Sequence, residues 1–403
     1  MRILLVHRNF PGQFRHLAPA LREAGHKVAV LTWEGNPNPQ TFPHLKYRYE
    51  MGPTRDLGHT YLEYARNGAA AAGAAKALRD KTGEAPDVVF GIINWGETLF
   101  LREVFPEARH LGYAELLYSA QGLDTDFDPE FRREDFLSKL RVTARKGHLL
   151  QAAIQADALL APTEWQAGTF PPELRAKMRV IHDGVDTEKL TPDPAATFQV
   201  PGGPLLRAGD EVITFVNRNL EPYRGFHTLM RALPRVLAER PDARAVLVGG
   251  DTGGYGPRPT ADRSWKDVML EEVGDRLDLS RVHFTGRLPY SALCDVLRVG
   301  RVHAYLTYPF VLSWSLLEAM SLGAYVLASD TAPVREVIED GRTGRLIDFF
   351  DVAAWEAALI AALAMPEDQA PIRAAARAHI VDKYDLRRIA LPRLIRFVET
   401  GGA

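Results

Sequence analysis

The chain has 403 residues, 46% hydrophobic and 25% charged, an ordinary globular composition with apolar material for two cores. The formal net charge is −2 and the charges balance within each half, so neither half offers the basic surface that nucleic acid requires. Cys294 is the one cysteine, which excludes an internal disulfide and a cysteine-based zinc site and points to a reducing, cytoplasmic setting.

The opening MRILLVHRNFPG places four apolar residues before His7, too few for a signal-peptide core and right for a buried first strand. No apolar run approaches the roughly 18 residues that span a bilayer, which leaves peripheral membrane contact open. After the strand at 3–6 comes a turn with Asn9, Pro11 and Gly12. Phe14, Leu17 and Leu21 then recur at helical spacing, Gly25 stops the helix, and 28–32 is the next strand. Strand, helix, strand in this order predicts a parallel sheet. The alternation continues through a helix at 61–78, strands at 88–93 and 110–114, a helix at 136–156 and a strand at 158–161. Residues 191–209, TPDPAATFQVPGGPLLRAG, break the rhythm with four prolines and three glycines and read as a linker. A second α/β series follows, with strands at 212–216, 245–248, 282–284, 302–306 and 325–328.

Ligands of open parallel sheets sit beyond the carboxyl ends of the strands, so the residues just after each strand are the candidates. After 212–216, Arg218 and Arg224 flank a tight turn into a helix. Guanidinium groups there suit a diphosphate that gains charge as it leaves. The segment 308–323 follows another strand and opens a helix, with Ser315 as the expected N-cap and Glu318 at capping-box spacing. Amides at such a helix start bind phosphate. In the first half, Gly12 lets the backbone approach a ligand, and His16 lies one helical turn later. Trp95, Glu97, Tyr113 and Glu115 stand at or just after strands and join the candidates. The Asp124-Thr125-Asp126 pair reads as a polar loop and not as a metal chelate. The opening turn lacks the G-x-G-x-x-G of a dinucleotide dehydrogenase.

The segments VNRNLEPYRGFHTLMRAL, VHFTGRL, SLLEAMSLGAYVLASD and APVREVIEDGRTGRLI, in this order, resemble the C-terminal half of glycosyltransferase family 4. The opening ILLVHRNFPGQFRHLAPALREAGHKVAVLT and the later APTEWQ and VIHDGVDTEKL extend the resemblance over nearly the whole chain. It implies an α/β GT-B fold, two Rossmann-like domains with a cleft between them, no required metal or cofactor, and retention of anomeric configuration. By this resemblance Arg218 and Arg224 bind the donor diphosphate, although the turn is one residue longer than usual and Arg224 replaces the usual Lys. The resemblance likewise implies that Glu318 binds the ribose, that the backbone of Leu316 and Leu317 faces the diphosphate and that Gly286 and Arg287 hold the base. In the first half it makes Trp95, Glu97 and Tyr113 a sugar-binding wall and Glu115 the group that stabilises a developing sugar cation or accepts the acceptor proton. The sequence departs from the family at the first glutamate of its Glu-x7-Glu motif, where Phe310 stands. Val311 and Ser313 replace the intervening glycines, Ser313 remaining a donor-side residue.

The reading is a retaining glycosyltransferase moving a sugar from a UDP- or GDP-sugar to a glycan, lipid-linked or small-molecule acceptor. The N-terminal, acceptor-side domain is expected over 1–190 and the donor domain over 210–380, with 381–403 ending in a helix that packs back on the first domain. Two alternatives remain: a GT-B sugar-nucleotide epimerase, and a non-catalytic nucleotide-sugar or glycan-binding protein.

Overall fold

A computed structural model describes the chain apart from residues 54–55, 133–134, 257, 261 and 403. It divides into two compact units. The first comprises Met1–Asp126, Arg132–Gly184 and Leu386–Ala403, and the second Phe127–Phe131 and Val185–Asp385.

The first unit is built on seven parallel strands: β1 (Arg2–Val6), β2 (Lys27–Trp33), β3 (His44–Tyr47), β4 (Val88–Ile92), β5 (Arg109–Tyr113), β6 (Ala158–Ala161) and β7 (Met178–Val180). Their spatial order is β3-β2-β1-β4-β5-β6-β7. Continuous apolar runs such as Val-Val-Phe-Gly-Ile in β4 are buried along their full length, as a sheet covered by helices on both faces requires. The order reverses between β1 and β4, where successive crossovers leave for opposite faces, and this opens a crevice at the carboxyl ends of these two strands. The final helix, Leu391–Thr400, buries Leu394, Phe397 and Val398 in the core of this unit, with the Phe397 ring 5.7 Å from that of Phe90. Arg109 donates to the Glu399 carbonyl in the last helical turn and Arg179 to the Gly402 carbonyl just past it, satisfying acceptors that the helix leaves open.

The second unit begins with an antiparallel hairpin, β8 (Thr197–Gln199) and β9 (Leu205–Arg207). Its sheet contains β10 (Val212–Asn219), β11 (Arg244–Gly250), β12 (Val282–Gly286), β13 (Val302–Tyr305), β14 (Tyr325–Ser329) and β15 (Arg345–Ile347). The order is β12-β11-β10-β13-β14-β15, all parallel, with the reversal between β10 and β13.

Two boundaries differ from the sequence reading. The stretch 191–209 is not a free linker: Phe198, Val200 and Leu206 are buried in the same core as Val296 and Leu297 of the helix Tyr290–Val299. Its glycines and prolines serve the hairpin turn, where Gly202 has φ +67°. The second difference is the segment Phe127–Phe131, which belongs to the second unit. Phe127 lies 5.1 Å from the Tyr308 ring and 5.3 Å from that of Phe349, and Glu130 is gripped by both terminal nitrogens of Arg231 at 2.7 and 2.8 Å.

Phe397 tests the anchoring of the last helix, because its ring is enclosed by the first unit's core. Phe397→Ala should cost about 3–5 kcal/mol in denaturant unfolding of that unit. A loss under about 1 kcal/mol would mean that the helix contributes little to it.

Candidate functional site

In the second unit the candidate residues gather at the β10/β13 reversal. The register of β10 against β11 shifts between Val216 and Asn219, and within this irregularity Arg218 turns outward. It is exposed and makes no hydrogen bond or ion pair among the described residues. Arg224 is its opposite. Held by the turn Pro222–Arg224 ahead of the helix Phe226–Glu239, it is buried, and one terminal nitrogen donates to Thr307 Oγ1 at 2.8 Å and to the Val311 carbonyl at 3.0 Å. Its guanidinium carbon lies 5.4 Å from the Tyr255 ring and 5.5 Å from that of Phe310. Glu221 between the two arginines is buried and accepts from the amides of Tyr255 and Gly256 at 2.8 and 3.0 Å, which ties that loop to the β10 turn. Burial pushes its carboxyl above the usual range.

The helix Trp314–Ser321 starts beside this turn. Its N-cap is Ser313 and not Ser315: the Ser313 hydroxyl accepts from the Ser315 amide, and the Ser313 amide donates to Tyr305 Oη at 2.8 Å. The Ser315 hydroxyl is directed to the Val216 carbonyl, 3.3 Å away, and so joins the helix start to the end of β10. Glu318 therefore closes no capping box; its Oε1 accepts from the Tyr290 hydroxyl at 2.7 Å. The side chains of Leu316 and Leu317 are buried in the core, which leaves only their backbone for a ligand. Arg287 is exposed and donates to Asn219 Oδ1 at 3.0 Å, while Gly286, at φ +67°, has open space where a side chain would stand.

In the first unit the polar residues again follow the strands. The backbone amide of Asn9 donates to His7 Nδ1 at 2.9 Å, so the ring proton sits on Nε2, which donates to Gln13 Oε1 at 2.7 Å. Gln13 Nε2 donates in turn to Glu115 Oε1, beyond β5. Gly12, at φ +45°, packs so closely on the His7 ring that any side chain there would clash. Burial and the neighbouring Asp183 push the Glu115 carboxyl up to about 7, although the Gln13 bond opposes the shift. Tyr113 is buried and donates to Asp183 Oδ1 at 2.8 Å, so it supports the cluster and presents no sugar-facing wall. Glu97 is also a core group: it is fully enclosed and accepts from the Tyr47 hydroxyl at 2.6 Å, and burial pushes its carboxyl up. Trp95 stays exposed, its carbonyl taken by Asn67. His16 caps no backbone amide with its side chain, its Nε2 accepting from Arg15 at 2.9 Å.

In the Asp124–Asp126 loop, Asp126 accepts from the Gly122 amide at 2.9 Å. Among the described residues one trio of potential metal ligands comes together elsewhere, Asp128, Glu130 and His227. Its carboxylates already serve Tyr308, at 2.6 Å, and Arg231. They read as the clasp of the Phe127–Phe131 segment.

The description "Glycosyl transferase family 4 group" matches residues 24–190, and "Glycosyl transferases group 1" matches 203–379. The chain belongs to glycosyltransferase family 4. Among curated relatives of this family, the D-inositol 3-phosphate glycosyltransferase of Gordonia bronchialis is 29% identical over 240 residues, 57% of this chain and 49% of that protein. The protein of the same name from Streptomyces scabiei is 29% identical over 229 residues, 56% of this chain and 50% of its own. The chain thus spans about half the length of the curated relatives it matches. Among solved structures, HepE of Anabaena in complex with UDP and glucose superposes with a TM-score of 0.65 at 15% identity, covering 99% of this chain and 100% of that one. Sucrose-phosphate synthase of Thermosynechococcus elongatus gives 0.70 at 19%, with 100% of both chains covered. The fold is GT-B.

Against the family pattern, Phe310 is buried, its ring 4.8 Å from Tyr255 and 5.7 Å from Tyr223. An aromatic cluster fills the place of the missing glutamate. His7, Gln13, Asp183, Glu221, Tyr255 and Tyr290 were not singled out from the sequence. All six follow strands, so the rule that site residues follow strands admits them, but the partner each one meets is set only by folding.

The raised Glu115 carboxyl sets a pH dependence of stability. The folded protein keeps this proton up to about pH 7, while an unfolded carboxyl loses it in the ordinary carboxylate range. The folded state therefore binds more protons across that interval, and the contribution of Glu115 to stability falls as pH rises through it. Glu115→Gln should gain stability relative to wild type between pH 4 and pH 8 in denaturant titrations. An unchanged difference across that range would place the carboxyl in an ordinary solvated setting.

Proposed function

We propose that the protein transfers a sugar from a UDP- or GDP-sugar to a hydroxyl acceptor, with retention and without a metal. The observation that carries this reading is Arg218, an exposed guanidinium with no hydrogen bond or ion pair among the described residues, its charge felt by the Glu221 carboxyl, placed at the reversal between β10 and β13. It lies in the turn that leads to the pinned Arg224, and the capped helix start at Ser313 is bonded to the same end of β10 through Ser315. Such fixed cations and amides stabilise the charge that builds on a leaving diphosphate without reorganising. Glu318 takes the ribose hydroxyls, and the backbone at Gly286 and Arg287 takes the base. The family relation and the UDP complex of the HepE relative support a nucleotide-sugar donor. Glu115 of the first unit is the carboxylate for the sugar cation or the acceptor proton, and the departing diphosphate shares in deprotonating the hydroxyl. Tyr255, exposed and packed on the buried Phe310, offers the donor sugar an aromatic face in place of a carboxylate. The same substitution favours one second reading, nucleotide-sugar binding without turnover.

Mutant kinetics separate the two. Arg218→Ala should lower turnover by roughly a hundred- to a thousandfold, about 2.7–4 kcal/mol of transition-state stabilisation, and weaken donor binding by less. Arg218→Lys should recover part of it, since the charge returns without the planar fork. Glu318→Gln should act mainly on donor affinity, because ribose hydroxyls gain no charge in the reaction. Wild-type turnover in Arg218→Ala would remove the diphosphate from this position, and saturable donor binding with no transfer or hydrolysis would establish the binding-only reading. Turnover should persist in excess EDTA; loss that manganese or magnesium restores would contradict the metal-free reading.

A further inference from the structure

We infer that His7 and Gln13 are positioning residues for Glu115, holding its carboxyl in one orientation through a chain of hydrogen bonds whose polarity is set by the backbone. The inference rests on the catalytic reading of Glu115 only for its kinetic consequence, because the chain of hydrogen bonds from Asn9 to Glu115 stands without it.

A carboxamide can lie either way round, and nothing in Gln13 alone decides whether Glu115 meets an N–H or a carbonyl oxygen. The decision is made two residues along the chain of bonds. The Asn9 amide, fixed by the turn after β1, can only donate, so His7 Nδ1 must accept and Nε2 must carry the proton. That N–H turns the Gln13 oxygen towards His7 at 2.7 Å and leaves the Gln13 nitrogen to face Glu115. The imidazole cannot easily take a second proton, because burial lowers its pKa and the tautomer is held. Gly12, at φ +45°, lies against the ring, and a side chain there would displace the histidine. Glu115 is fixed from the other side as well, its carbonyl accepting from Gln166 Nε2 at 2.6 Å. Among the described residues its carboxyl has no further hydrogen bond, which leaves Oε2 for a substrate group.

The charged and titratable groups facing Glu115 come from several elements. His7 lies after β1 and is kept neutral by burial. Tyr113, at the end of β5, carries its proton to Asp183. Asp183, beyond β7, repels the Glu115 charge, and His182, its neighbour in the chain, is held below the usual imidazole range by burial. Tyr118 follows, with the Arg145 guanidinium 3.9 Å over its ring. Of these, Asp183 opposes ionisation of Glu115 and Gln13 favours it, so the two neighbours act in opposite directions. A residue that merely filled space would have no such sign.

The test is a direct titration of the Glu115 carboxyl by carbon-13 NMR in the unliganded full-length protein, its signal assigned by loss in Glu115→Gln. Gln13→Leu removes the donor, and His7→Leu removes the group that orients it. Both should raise the midpoint, Gln13→Leu by about one pH unit or more, the scale of one hydrogen bond to a charged group. His7→Gln, which restores an N–H at the same reach, should keep the midpoint near wild type, and Asp183→Asn should lower it. Midpoints unmoved in both leucine variants would overturn the inference. The pH profile of UDP-glucose hydrolysis, read as free UDP, is a separate arm. An acidic limb that follows the NMR midpoints supports the catalytic role of Glu115. A limb that ignores shifted midpoints would sink that role while leaving the positioning of the carboxyl intact.

Discussion

Each of the two parallel sheets reverses its strand order once, and the candidate site residues gather at those two reversals. In a parallel sheet the strand interiors are covered by helices and must be apolar. Only beyond the carboxyl ends, where neighbouring crossovers part, can backbone and polar side chains reach a ligand. The β1/β4 reversal is flanked by His7, Gly12 and Gln13, with Glu115 reaching in from beyond β5. The β10/β13 reversal carries Arg218, Arg224 and the helix start at Ser313.

The two arginines show how the same residue type is used in two ways. A buried guanidinium is costly unless its donors are met, and Arg224 meets Thr307 and the Val311 carbonyl while lying against two aromatic rings. This fixes the loop between β13 and the helix Trp314–Ser321 relative to the turn after β10. Glu221 fixes the loop at Tyr255 and Gly256 to the same turn. Three loops are thus tied at one place, and the exposed Arg218 projects from a rigid base. A charge held in this way needs little reorganisation when a diphosphate gains charge beside it.

Much of this was legible in the sequence and some was not, for physical reasons. Apolar runs identify buried parallel strands, so Leu-Leu-Val before His7 and Ile-Thr-Phe-Val before Asn217 mark β1 and β10, whereas the strand order that makes their ends the two reversals is set only in the folded sheets. The edge strand β3 has the sequence His-Leu-Lys-Tyr, with only its last residue buried, and carries no such signal. The hairpin at 197–207 was hidden because its prolines and glycines outweigh the short apolar alternation of Phe198, Val200 and Leu206. Ser315 and Ser313 both fit an N-cap by spacing, and the choice fell to Tyr305, whose hydroxyl takes the Ser313 amide from a different strand. Glu97 and Tyr113 follow strands as a ligand-facing residue would, yet both turn inward to partners distant in sequence, Tyr47 and Asp183. Position after a strand tells where a site can be. Which side chains face it depends on partners that the linear sequence does not pair.

The central claim is that the β10/β13 reversal receives the donor diphosphate, and a crystal structure with UDP bound tests it most directly. Diphosphate oxygens are expected within hydrogen-bond distance, about 2.7–3.2 Å, of the Arg218 and Arg224 guanidinium groups, with the ribose at Glu318. A diphosphate bound elsewhere on the chain, with Arg218 still free of contacts at saturating nucleotide, would contradict it.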